Sequence, residues 1–157
     1  MEIRGSNEIS VRASRDRVWH VLEDSTCLPK WAPMVKQITG QRETVGSKRT
    51  CHVEWEGRRD EVVERCTEAI PNDRIGWVME RGMMLKMFSK VGFGFVLQPE
   101  SSGNTRVRME YSYTPRNVLT GLMFRVMMAR KMDAMRQGLL ANLKELVERE
   151  DGRRHSV

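Results

Sequence analysis

VLTGLMFRVMMARKMDAMRQGLLANLKELVER, residues 118–149, reads as one uninterrupted helical pattern. At about 1.5 Å of rise per residue this helix would run for about 48 Å, far beyond the ~11–12 residues of an average globular helix. Its apolar positions Phe124, Met128, Met132, Met135, Leu139, Leu143 and Leu146 recur at steps of three or four, so they share one face. So broad a stripe on so long a helix needs a large partner surface. Five methionines lie within it, and flexible thioethers adapt to irregular surfaces or to a ligand.

The partner surface is predicted upstream. Residues 7–13 (NEISVRA) alternate apolar and polar, as a half-buried strand does. Ser14 then stands at an N-cap position, with Asp16 in the first turn and Val18, Trp19, Val21 and Leu22 as the apolar face of a short helix. Pro29 and Pro33 confine the next segment to a second short helix or turn around Trp31. Residues 35–43, 47–56, 58–69, 74–80, 87–98 and 105–114 read as six further strands, separated by turn residues. Short turns between successive strands imply an antiparallel meander, and a sheet of long strands twists and curves strongly. The expected architecture is therefore α+β: a curved, antiparallel seven-stranded sheet around a long C-terminal helix, with two short helices after strand one. The expected organisation is one ligand-binding domain over residues 1–150, followed by a disordered polar tail at 151–157 (DGRRHSV).

Composition sets the outer bounds. The 157 residues are 39% hydrophobic and 31% charged, as in a soluble globular domain. No apolar run approaches the ~20 residues of a membrane span. The N-terminus MEIRGSNEIS has no apolar signal-peptide core, which makes a cytoplasmic location the expectation. Cys27, Cys51 and Cys66 are odd in number and form no CxxC pair, so reduced, buried thiols are expected and a zinc site is not. The net charge of +6 is scattered over Arg12, Arg15, Arg17, Arg58, Arg59, Arg125, Arg130, Lys131 and Arg136. Without a basic run, a zinc finger or an aromatic-basic motif, nucleic acid is not an expected partner. A solvated, modestly basic face is the plain account of these charges.

Several segments together resemble one superfamily. ISVRASRDRVWHVLED (residues 9–24) is similar to the I-x-x-x-A-x-x-x-x-V-W-x-x-L-x-D opening of START-like proteins, also called SRPBCC, which include the polyketide cyclase/dehydrase family. LPKWAPMVKQI, TVGSK, TEAIPNDRI, PESSGNTRVRMEY and LLANLKELVE resemble that family's second helix, its later turns, its last hairpin and its closing helix. The resemblance spans residues 7–149 and implies a helix-grip fold. Similar proteins include lipid-transfer modules, hydrophobic-ligand receptors, aromatase/cyclases and chaperone-like activators, so the resemblance alone does not fix a chemistry.

Catalytic motifs are absent from the sequence: there is no HExxH, GxSxG, GxGxxG, P-loop or EF-hand pattern. His20 and His52 both read as solvent-facing, without an evident orienting partner. Catalytic residues are left unassigned, and no cofactor or metal is expected. Ten of the twelve methionines fall between Met79 and Met135, a clustering that suits a pocket able to repack around varied ligands. The expected lining is Trp77, Met79, Phe93, Phe95, Met109, Tyr111, Tyr113, Met128, Met132 and Met135, with Met83, Met84 and Leu85 at the cavity mouth. Tyr111 and Tyr113 are either satisfied core phenols or polar contacts for a ligand. The stretch Val62-Val63-Glu64-Arg65-Cys66 does not alternate cleanly, so either Glu64 or Arg65 points inward as a polar anchor unless a bulge intervenes.

Three functions remain in view. The first is binding of a lipid-like or polycyclic apolar ligand in a cavity between sheet and C-terminal helix. The second is an aromatase/cyclase or dehydratase acting on a polyketide-type substrate in that cavity. The third is a transient contact with a membrane or partner protein through the Met83–Leu85 loop.

Overall fold

The computed structural model describes residues 1–155. Strand β1 (Ile3–Val11) leads into helix α1 (Arg15–Glu23) and the single turn of α2 (Leu28–Trp31). Strands β2 (Val35–Thr39), β3 (Lys48–Trp55), β4 (Arg58–Ile70), β5 (Arg74–Arg81), β6 (Phe88–Pro99) and β7 (Thr105–Pro115) follow. The chain closes with helix α3 (Val118–Met123), a π-helical segment at Phe124–Met128, and helix α4 (Ala129–His155). All strand pairs are antiparallel in the order β1-β7-β6-β5-β4-β3-β2, so the meander is completed by β1 returning beside β7.

Alternation decides which side chains meet the helix. Ile75 and Trp77 on β5, Val91, Phe95 and Leu97 on β6, and Val107, Met109 and Tyr113 on β7 are buried, whereas their neighbours Arg74, Lys90 and Arg106 face outward. Bulges reset this parity on β4 and on β6. On β4 the even-numbered Val62, Glu64 and Cys66 are buried until a register shift between Cys66 and Glu68 brings Ala69 to the core side. On β6 a shift between Phe88 and Lys90 lets Phe88 and Val91 both face inward. Each extra residue also bends its strand, which curls the sheet around α4. Helix α4 answers with Met132, Leu140, Leu143, Leu146 and Val147, all buried.

Three expectations need correction. The polar end is not a disordered tail: α4 continues through Asp151–His155, and Asp151 lies 3.6 Å from Arg17 of α1. The remainder of that expected tail, residues 156 and 157, lies outside the described residues. The long helix is continuous in path but contains the π-helical turn at Phe124–Met128, which no pattern of apolar residues announces. Strand β2 ends at Thr39 rather than residue 43, and this frees Glu43 to turn into the core. Ser14 occupies the N-cap of α1 as expected, in extended conformation, without a side-chain capping bond.

Two glycines give opposite tests of this packing. A Cβ on Gly94 would stand 2.6 Å from the Ile75 carbonyl oxygen on the neighbouring strand, whereas one on Gly138 of α4 would meet nothing. Gly94→Ala should therefore destabilise by about 1–3 kcal/mol, and Gly138→Ala should stabilise by about 0.5–1 kcal/mol through helix propensity. Thermal melts should show Tm moving in opposite directions, by about 2–4 °C per kcal/mol.

Candidate functional site

The concave face carries two buried polar groups within its apolar surface. The first is centred on Arg49, whose side chain is 3% exposed. Its Nε donates to Glu64 at 2.6 Å, and its Nη1 lies 3.8 Å from Glu43. Glu43 also accepts from the Ser25 and Ser47 hydroxyls, the latter at 2.8 Å. Together these residues tie the turn before α2, the β2–β3 loop, β3 and β4. The guanidinium carbon of Arg49 stands 4.1 Å above the Trp77 ring, a cation–π contact made in a desolvated place.

The second group is centred on Arg136 of α4, also 3% exposed. Its Nε donates to Asn7 Oδ1 at 2.8 Å, and its Nη1 reaches the Tyr113 hydroxyl at 3.4 Å. Its guanidinium lies 3.6 Å over the Tyr111 ring, and Asn7 in turn donates to Asp133 at 2.8 Å. Burial pushes the Tyr113 phenol above its ordinary pKa, with the Arg136 charge opposing. Gly5 makes room for this arrangement, because a Cβ there would meet the Tyr111 hydroxyl.

Around the two groups stands an aromatic wall. Trp77 stacks on Phe93 at 5.3 Å between centroids, and Phe95 meets Trp31 and Trp77 edge-on at 5.8 and 6.3 Å. The indole Nε1 atoms of Trp31 and Trp77 are buried with no hydrogen-bond partner. A buried donor left unpaired costs on the order of 1–3 kcal/mol, and every other buried side-chain donor or acceptor among the described residues is paired.

The residues named from the sequence fall into two packed clusters. Trp77, Phe95 and Met109 are buried in the first, with Phe93 and Met79 half-buried against it. Tyr113 and Met132 are buried in the second, with Tyr111, Met128, Met135, Met84, Leu85 and again Met79 half-buried against it. Met83 is exposed. Met79 thus joins both clusters, and the half-buried side chains mark a seam between them. A hollow of about 610 Å³ lies elsewhere, open on the outer face of the sheet over Gly76, Gly92 and Gly94. The charges rimming that hollow are mostly paired, as in Arg74–Glu68 and Arg108–Glu110, so it reads as a solvated surface.

The choice between Glu64 and Arg65 is resolved by geometry: Glu64 is buried and Arg65 turns outward to pair with Glu80 at 2.7 Å. Arg136 corrects the solvated-face account of the basic residues, since it is buried in the middle of the helix's apolar stripe. Arg49, Glu43 and Asn7 were not identified from the sequence. A signal did exist for Arg49, which shares β3 parity with the buried Cys51. Glu43 had none, because its direction depends on a loop. Cys51 is no nucleophile: burial, reinforced by the Glu64 charge, pushes its thiol up to about 12. No group of three His, Cys, Asp or Glu among the described residues could hold a metal ion.

A family model described as polyketide cyclase/dehydrase and lipid transport matches residues 2–148. The ZhuI aromatase/cyclase of a Streptomyces species superposes with a TM-score of 0.78 at 16% identity, over 95% of each chain. Major latex-like protein 151 of Panax ginseng gives 0.76 at 10% identity, covering 92% of this chain and 97% of that one. A START superfamily protein of Mycobacterium smegmatis gives 0.70 at 16% identity, covering 91% and 98%. At such identities the likeness establishes the shared helix-grip fold. None of the curated proteins matches the sequence.

The Arg49 cluster makes a direct prediction. Arg49→Met leaves two buried carboxyl groups without their cation and should destabilise by about 3–5 kcal/mol in urea unfolding. Adding Glu64→Met should restore part of that loss, because one of the orphaned carboxyls is then gone.

Proposed function

The chain belongs to the polyketide cyclase/dehydrase and lipid transport family, and on that premise we propose that it binds an apolar, oxygen-bearing small molecule between the concave sheet and α4. The site is the seam of Met79, Phe93, Tyr111, Met128 and Met135, with the buried Trp77 and Arg49 beside Phe93. The observation that carries this reading is the unpaired indole N–H of Trp77, buried beside a guanidinium in an aromatic wall. A ligand carbonyl or hydroxyl oxygen satisfies that donor, while rings or acyl chain replace the seam's methionine contacts. Affinity then comes from apolar burial at ~25 cal/mol per Å², and orientation from a few convergent polar groups. Methionine suits the wall, since it repacks around different shapes at little cost. The same reading places the protein in the cytoplasm, working without a cofactor.

A second reading, cyclisation or dehydration of a polyketide-type substrate at this place, is favoured by the buried pair Glu43 and Glu64 beside Arg49. Such chemistry needs proton donors and acceptors within reach of the substrate, and their loss costs about 10²–10⁴-fold in rate. Turnover that vanishes in Glu64→Gln while binding persists would establish it over simple binding.

The binding reading is tested with two planar probes of one shape, 9,10-anthraquinone and anthracene. The quinone should bind about 2–12-fold tighter, the value of one hydrogen bond of about 0.5–1.5 kcal/mol. Trp77→Phe should erase that difference and leave anthracene binding nearly unchanged. Equal affinities in the unaltered protein would contradict the polar anchor.

A further inference from the structure

Eleven large apolar side chains are exposed among the described residues, and all but Val45 and Ile70 lie in three segments: Met1, the Met83–Met87 loop, and residues 118–127. Val118, Leu119, Leu122, Met123, Val126 and Met127 repeat at steps of one and three along α3 and the π-helical segment, so they form one continuous face. Val118 is 76% and Val126 77% exposed, so this face is left largely uncovered by the described residues. The opposite face is anchored by Phe124, which meets Phe88 at 5.1 Å and Tyr113 at 5.3 Å. The loop bearing Met83 and Met87 is fastened to the start of α3 by Arg116, whose Nε donates to the Leu85 carbonyl and whose backbone N–H donates to the Met87 carbonyl. Met1 lies beside Gly121, its methyl carbon 3.5 Å from where a Cβ would stand. The three segments make a single surface.

Charge decides what can cover it. From residue 81 to 99 and from 111 to 132 the sequence contains no Asp or Glu. The surface is instead collared by exposed Lys86, Arg116, Arg125, Arg130 and Lys131. Only Lys131 of these is paired with a carboxylate, Glu56 at 3.2 Å, among the described residues. We propose that this surface docks the protein on an anionic lipid bilayer, with α3 and the π-helical turn lying in the interface and the five cations among the headgroups. A surface helix of this kind buries its apolar face at the headgroup–acyl boundary, and each nearby cation strengthens attachment to anionic lipid roughly fivefold. A second copy of the chain fits less well, since a two-fold contact through this patch would set like charges against each other. No described helix is long and apolar enough to cross a membrane, so the contact is peripheral. The proposal stands on the surface alone and does not depend on the internal ligand site.

The test is flotation of the purified protein with vesicles of phosphatidylcholine alone and of phosphatidylcholine mixed with phosphatidylglycerol. Binding is expected only to the mixed vesicles and should weaken as salt is raised. Leu122→Asp with Val126→Asp, and separately Arg125→Glu with Arg130→Glu, should each lower that binding by at least about tenfold without lowering the melting temperature, because these side chains make no core contacts. Any fall in Tm is handled by the milder pair Leu122→Ser and Val126→Ser, for which the same direction is expected. Absence of binding to both vesicle types, or binding unchanged by both sets of substitutions, would overturn the proposal. So would a concentration-dependent dimer in sedimentation equilibrium that Leu122→Asp dissolves, because the occupant would then be a second copy.

Discussion

Everything on the concave face depends on side-chain alternation along the strands. A one-residue slip would send Trp77, Phe95 and Met109 into solvent and bring Arg74, Arg106 and Arg108 against α4. Register is therefore held by the cost of burying the wrong face, and it is modulated only at the bulges. The bulge after Cys66 lets Glu64 and Ala69 both turn inward on one strand. Without it, Glu68 would turn inward in place of Ala69.

Burying Arg49 and Arg136 works against stability, since well-packed apolar residues in the same volume are often as good or better. Each guanidinium is satisfied mainly by groups from other elements: Arg49 by Glu64 and Glu43, Arg136 by Asn7 and Tyr113. Each also lies on an aromatic ring that belongs to the lining predicted from the sequence, Trp77 and Tyr111 respectively. The charges thus fix the orientation of the very rings a ligand would touch. The indole of Trp77, like that of Trp31, is a buried donor left without a partner among the described residues.

The fold was legible because its signals are periodic. Seven strand segments bounded by turn residues, two short helices and a long amphipathic helix survive small errors at their ends, and the strand parity of Trp77, Phe95 and Tyr113 follows from counting. The polar parts of the site were less legible. Glu64 could be narrowed to one of two residues, since a broken alternation marks where a charge must turn inward. Glu43 turns inward because β2 stops at Thr39 and the following loop folds back on Ser25, a tertiary outcome with no local pattern. Arg136 sits on the apolar stripe but reads as one of many scattered cations, and only its partners on β1 and β7 reveal its burial. The exposed face at 118–127 was hidden for the converse reason: apolar residues in a long helix are expected to be covered, and here they are not.

The central claim is that an oxygen-bearing ligand reaches the Trp77 indole inside the grip. The four tryptophans, Trp19, Trp31, Trp55 and Trp77, give four indole N–H signals in a ¹⁵N–¹H spectrum. Titration with 9,10-anthraquinone should shift the Trp77 signal most, as its N–H gains an acceptor, and leave that of Trp19, buried in α1, in place. Saturable binding of the quinone with the Trp77 signal unmoved would contradict the account.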